Sequence, residues 1–183
     1  MSTLDARNAI AEGVLSTKQH MERYTRGFDE RSGVAQAPGL PNHVVWTLGH
    51  LAFTMNRVCE MIDGKAVSAE FFVPGALGTK QAFAIESVRY GSTPTGDAGG
   101  YPAIERALAA YNAACDRVAD CVRGASDAQL LEEVPWGGGM TPLYLLALRM
   151  VFHNGMHTGQ IADLRRAFKM PSVFAPAPQA PAR

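Results

Sequence analysis

The residues of this sequence best suited to chemistry are His153 and His157, in the stretch His153-Asn154-Gly155-Met156-His157. They lie inside an apolar run from Thr141 to Phe168 that reads as one long helix. At about 3.6 residues per turn, a spacing of four stacks two imidazoles on one face, one turn apart. Neutral imidazoles so placed can share a metal ion. A histidine on an apolar face is more often a hydrogen-bonded core residue, so the pair needs a third partner. His50 supplies one, on a second apolar helix beside Trp46 and Phe53. Three neutral imidazoles from two helices leave coordination positions open for water or substrate, as catalytic metal sites do. An apolar pocket should not hold three such groups without partners, so a common metal is the economical reading. His43 lies seven residues before His50, about 10 Å along the helix, and is a poor fourth ligand. His20 has no evident partner and reads as a solvated side chain.

The elements that must position these residues follow from apolar periodicity. Ser2 with Asp5 resembles an acidic variant of a capping box and opens a first helix over residues 3–27. Its Ile10, Val14, Thr17, Met21, Tyr24 and Phe28 recur at spacings of four and three. Residues 29–41 hold Gly33, Pro38, Gly39 and Pro41 and read as a loop. Asn42 is placed to cap a second helix over 43–63, and Gly64 to end it. That helix has one stripe of Val45, Leu48, Ala52, Met55, Cys59 and Ile62. A second stripe, Trp46, His50, Phe53, Arg57 and Met61, lies on roughly the opposite side, with Arg57 its only formal charge. A helix apolar on both sides is buried on both: either it is the most central helix, or one face meets another subunit.

Residues 65–100 are mixed, with a short helix expected from Lys80 to Val88 and a Gly/Ser/Thr/Pro-rich loop from Gly91 to Gly100. A connection this long is either a lid or a plain crossover. Pro102 suits the first position of a third helix over 102–123, whose stripe runs through Ile104, Leu108, Tyr111, Cys115, Val118 and Val122. Gly124 ends it, Ser126-Asp127 starts a short turn of helix to about Glu133, and Trp136 with three glycines follows. Thr141 and Pro142 suit the cap and first position of a fourth helix over 142–168. Its histidine face also carries Leu146, Met150, Gln160, Ile161, Leu164 and Phe168; the opposite face carries Gly155, Gly159 and Ala162. Each mid-helix glycine costs about 1 kcal/mol relative to alanine, so close approach of a neighbouring helix is expected there. Four long amphipathic helices without a strand pattern indicate an all-α four-helix bundle over residues 1–170, followed by a Pro/Ala-rich tail, 171–183, that is extended or disordered.

Composition narrows the function. A chain of 183 residues with 47% apolar content suits one globular domain. Seventeen basic residues balance seventeen acidic ones, which leaves no basic footprint for nucleic acid or an anionic membrane. His50 and Arg149 interrupt the only apolar runs that approach a membrane span. The start, Met1-Ser2-Thr3-Leu4-Asp5, lacks the charged and apolar regions of a signal peptide, so a cytoplasmic location is expected. Cys115 and Cys121 are six apart on one helix, about 9 Å of rise and too far to bridge; with Cys59 they read as buried reduced thiols.

The segments "HVVWTLGHLAF" and "MTPLYLLALRMVFHNGMHTGQIADLRR", with their spacing, resemble the DinB-like (DinB/YfiT) metalloprotein superfamily. The pattern is W-x-x-x-H in helix two, here Trp46 and His50, and H-x-x-x-H followed by G-Q-I in helix four, here His153, His157, Gly159, Gln160 and Ile161. The resemblance extends over almost the whole chain and includes "GSTPTG" and "YPAIERALAAYNAACDRV". It implies an up-down-down-up bundle whose crossover joins helices two and three. It also implies a divalent ion, nickel or zinc, on the three histidines, and a homodimer. Characterised relatives include transferases and isomerases that use a low-molecular-weight thiol, mycothiol or bacillithiol.

Two functions follow from different classes. One is a metal-dependent enzyme, a thiol-dependent S-transferase, isomerase or hydrolase acting on a small molecule, in which the ion lowers the pKa of a bound thiol or water. The other is a non-catalytic metal- or ligand-binding bundle serving stress response. A deep pocket open beside the metal favours the enzyme. Candidate pocket residues are Trp46, Phe53, Arg57, Met150 and Gln160. Arg57 cannot ligate a metal, because its guanidinium stays protonated; it either holds an anionic group of a substrate or packs its stem on the apolar face. Asp163 points partly away and reads as a surface charge. No general base is identifiable. Leu51 and Val58 on helix two, and Tyr144, Leu148, Val151 and Phe152 on helix four, are apolar without an evident partner. They are covered either by a second copy in a two-fold homodimer or by the 65–100 segment.

Overall fold

The computed structural model describes residues 5–174. Its helices are α1 (Ala6–Thr25), α2 (Val44–Asp63), α3 (Ile85–Val88), α4 (Ile104–Gly124), α5 (Asp127–Leu131) and α6 (Leu143–Ala167). Two small sheets accompany them. Strand β1 (Phe72–Val73) pairs in parallel with β2 (Phe83–Ala84), and β3 (Glu133–Trp136) pairs antiparallel with β4 (Gly139–Pro142). The protein is therefore mainly helical, but the expectation of no strands is corrected. The sequence-expected tail falls largely on 175–183, outside the described residues, as does Ser2 of the expected capping box.

The helix ends differ from the expected ones for local reasons. Asp5 caps α1, its carboxylate accepting from the Asn8 N–H. His43, not Asn42, caps α2: its Nδ1 accepts from the Trp46 N–H at 3.1 Å. Its other nitrogen, Nε2–H, donates to the Thr95 carbonyl at 3.0 Å, so this buried ring is fixed as one neutral tautomer. Gly64 ends α2 in the left-handed region at φ 69°, as expected for a glycine stop. Helix α4 starts at Ile104 rather than Pro102, and α3 covers only the end of the expected 80–88 helix. Thr141 and Pro142 belong to β4; Pro142 stands at the cap position of α6 rather than its first turn, and Thr141 does not cap the helix. The cause is the turn Gly137-Gly138, whose φ values of 63° and 90° are the pair a two-residue hairpin turn requires.

Side-chain pairs fix how the long helices lie. Lys18 meets Asp116 and Arg123 meets Glu12, so α1 and α4 run in opposite directions. Gly13 packs on Val151 while the Tyr24 carbonyl accepts from Arg165, so α1 and α6 run together. Asn56 accepts from Arg117 and Asp63 from Cys121, so α2 and α4 also run together. Asn42 donates to Gln160 at one end of α2, and Met55 lies by Asn154 further along it, which sets α2 against α6. At the centre, Thr17 Oγ1 lies 2.7 Å from the Tyr111 hydroxyl and accepts from Asn154 Nδ2 at 3.0 Å. These buried bonds, each worth about 1 kcal/mol net, lock α6 in register on α1 and α4 one residue from His153.

The 65–100 segment packs over α2. Phe83 sits directly on Gly49, Phe72 stacks on Phe83 at 5.8 Å, and Phe53 meets Phe72 at 5.7 Å. Leu51 and Val58 are fully buried, so the crossover and α4 cover helix two and the expected surplus there does not exist. Helix α6 is different. Tyr144, Leu148, Phe152 and Met156 stay exposed, while Val151 is half-buried against α1. The close approach expected at Gly155 and Gly159 is also corrected: nothing lies within 4 Å of a side chain placed at either. They line an open groove between α1 and α6, with Ser16 and Tyr24 on its other wall.

Candidate metal centre

Helices α2 and α6 cross where His50, His153 and His157 lie, and one nitrogen from each lies within 4.8 Å of the others. Ring centroids are 5.2 Å apart for His50–His153, 5.3 Å for His50–His157 and 4.7 Å for His153–His157, with the rings roughly edge to face. The orientation of two rings is set from outside. His50 Nδ1–H donates to the Val88 carbonyl at 2.9 Å, which aims Nε2 inward. His157 Nδ1–H donates to Gln160 Oε1 at 2.8 Å, with the same result, and Asn42 Nδ2 holds that oxygen from the other side. Trp46 lies flat on His50, with centroids 4.7 Å and planes 5° apart. Its indole N–H donates to the Ser87 carbonyl at 2.9 Å, so the crossover clamps both rings.

The donor set fits a divalent ion. Burial disfavours the charged forms and holds all three histidines below the ordinary value: His157 is pushed down to about 4, and His153 to about 3, burial being aided in both by neighbouring imidazoles. All three are neutral near pH 7, the form that ligates. His153 Nε2 and His157 Nε2 stand 3.2 Å apart, and the buried His153 Nδ1 has no partner. The bond to Gln160 makes His157 Nε2 a lone pair. If His153 also presents a lone pair, the two repel, and a cation between them turns that repulsion into coordination.

Above the cluster opens a cavity of about 730 Å³. His50 and His153 form its floor; Phe53, Met61, Met150, Phe152 and Trp136 form apolar walls. Arg57, Arg89 and Arg149 stand on its lining with the exposed Tyr90. Of the residues singled out in the sequence, Phe53, Arg57 and Met150 thus reach the cavity, while Trp46 and Gln160 act on the histidines from behind. Asp163 pairs with Arg166 on the surface. Sequence reasoning missed Trp136, Arg89 and Arg149. The position of Arg149, four residues before His153, was a usable signal; those of Trp136 and Arg89 depend on the hairpin and the crossover.

Neutral imidazoles from two crossing helices, converging under a cavity, define a mainly helical protein with a three-histidine cluster that could hold a metal. The sequence pattern of the DinB superfamily matches residues 15–161, which include all three histidines. The chain belongs to the DinB superfamily. Its fold is similar to that of a solved structure described as a conserved protein from Enterococcus faecalis, with a TM-score of 0.70 at 12% identity, covering 90% of this chain and 98% of that one. No curated protein matches the chain. Among the described residues, no helix is long and apolar enough to cross a membrane.

Proposed function

We propose that the protein is a metal-dependent enzyme that acts on a small molecule, as a thiol-dependent S-transferase, an isomerase or a hydrolase. The observation that carries this is the open side of the histidine cluster: His50 and His153, two of its three residues, line a cavity large enough for a small substrate rather than a closed shell. A divalent ion, nickel or zinc, held by the Nε2 atoms of His50, His153 and His157, would lower the pKa of a bound thiol or water and so supply a nucleophile at neutral pH. The chain's own residues do the rest. Val88 and Gln160 fix the ring tautomers, Trp46 shields His50 from water, and the apolar walls hold the substrate body. The reading includes an up-down-down-up four-helix bundle, supported by the pairing of α1, α2, α4 and α6, and a protein without nucleic-acid or anionic-membrane partners, supported by its zero net charge; it also includes a cytoplasmic location.

We also propose a two-fold homodimer, supported by the apolar face Tyr144, Leu148, Phe152 and Met156 that α6 leaves exposed. Light scattering at micromolar concentration tests it, and a mass near the 19.6 kDa of one chain removes it. The enzyme reading is tested on protein purified without a histidine tag. About one nickel or zinc per chain, with turnover of an electrophile in the presence of one member of a panel of low-molecular-weight thiols, supports it. Stoichiometric metal with no ligand exchange at the ion would favour a non-catalytic metal-binding bundle instead.

A further inference from the structure

The cavity over the histidines carries charge of one sign. Arg57, Arg89 and Arg149 line it, and among the described residues no aspartate or glutamate does. Arg57 is paired with Glu60 and Arg89 with Glu86, both carboxylates lying outside the lining. Arg149 has no ion pair among the described residues. It stands four residues before His153, one turn along the same face of α6. The histidine cluster contributes no negative charge either, so a divalent ion there adds positive charge to a positive cleft. A cleft with apolar walls focuses such a field, and a guanidinium offers a carboxylate two parallel N–H donors. Below the arginines the walls are Phe53, Met61, Met150, Phe152 and Trp136, which suit an apolar body.

We propose that Arg149 is the anion-binding residue of this cavity and that the substrate is an amphipathic organic acid. Its carboxylate sits on Arg149, its apolar body lies along Phe53, Met150 and Trp136, and its reacting group reaches the floor beside His50 and His153. Arg57 and Arg89 are each largely neutralised by a glutamate, which leaves Arg149 the unpaired cation of the lining among the described residues. This deepens the enzyme reading for the same cavity and rests on it for the position of the reacting group.

The test is calorimetric titration of the full chain with 4-phenylbutyrate and with its neutral amide, 4-phenylbutanamide. Both are run on zinc-loaded protein and on protein stripped with a chelator. The acid is expected to bind at least about tenfold tighter than the amide in both preparations, as a charge-assisted pair predicts. Arg149→Gln should abolish that preference and leave amide binding within about twofold, since apolar contact alone remains. Arg149→Lys, which keeps the charge and loses the fork, should retain part of it. Arg149 is exposed, so both variants should fold, and thermal melts check this. Equal binding of acid and amide, binding of neither, or a preference that survives Arg149→Gln overturns the proposal. A preference seen only with zinc also overturns it, because the ion then holds the carboxylate. If zinc does not bind but the acid preference persists, the metal reading fails and the assignment of Arg149 stands.

Discussion

Two glycine-to-alanine substitutions in helices should differ in their effect on stability. A methyl group at Gly49 would lie 2.5 Å from Phe83 Cε1, 2.7 Å from Cδ1 and 2.8 Å from Cζ. Carbon contacts relax near 3.5–4.0 Å, so the ring would have to retreat by about 1 Å. Phe83 is fully buried and stacked on Phe72, so it has no free direction. Overpacking of this kind costs roughly 1–3 kcal/mol, against roughly 1 kcal/mol gained in helix propensity. At Gly159 nothing lies within 4 Å, so only the propensity gain remains. The difference between Gly49→Ala and Gly159→Ala isolates the steric cost, because the propensity gain is common to both. At about 2–4 °C per kcal/mol for a chain of this size, the two melting temperatures should differ by roughly 2–12 °C, with Gly159→Ala the higher. Phe83 leads directly into α3, whose Val88 carbonyl orients His50, so Gly49→Ala should also weaken metal binding. Calorimetric melts of metal-free protein, with a zinc titration alongside, read both effects. Equal stabilisation by the two substitutions would refute the packing of the crossover on α2. A destabilising Gly159→Ala would mean that the α1–α6 groove is filled in solution.

Three further outcomes are expected. His50→Ala should lose stoichiometric metal by elemental analysis while α6 keeps its helical signal; full occupancy in that variant would remove His50 from the ligand set. Gln160→Leu should lower metal affinity by roughly 10–100-fold without removing it, measured by chelator competition, because His157 loses the acceptor that fixes its tautomer. The metal-free protein should lose stability as pH falls. His43, His157 and His153 are held near 4, 4 and 3 by burial, below the 6.5 of the unfolded chain. Their neutral forms stabilise the fold fully above pH 6.5, and that contribution is lost as pH drops toward 4, at about 1.4 kcal/mol per pH unit for each histidine. A melting temperature flat between pH 7 and about 4.5 would contradict the burial of these rings.

Local periodicity carried the long helices and the three histidines into the sequence reading. His50, His153 and His157 could be joined because two share a helix face and the third sits on a largely apolar stripe of a second helix. The helix starts were harder to read. His43 caps the helix in place of Asn42 with its second nitrogen held by the Thr95 carbonyl, 52 residues away, while the Asn42 side chain is drawn to Gln160. The hairpin before α6 left a signal in Gly137-Gly138 between Trp136 and Gly139, but its four-residue strands are too short to alternate visibly. Val88, which orients His50, acts through its backbone carbonyl, and no residue type announces such a role. The burial of Leu51 and Val58 likewise depends on how α4 and the crossover pack on α2.

The central claim is that three imidazoles hold one ion with a position open to the cavity. X-ray absorption at the metal edge, on zinc- or nickel-loaded protein purified without a histidine tag, tests it most directly. Three imidazole nitrogens in one shell at about 2.0–2.1 Å are predicted, falling to two or to no bound metal in His50→Ala, with a sulfur scatterer when a low-molecular-weight thiol is added to the wild type. A spectrum with fewer than three imidazoles, or one unchanged by His50→Ala, would contradict it.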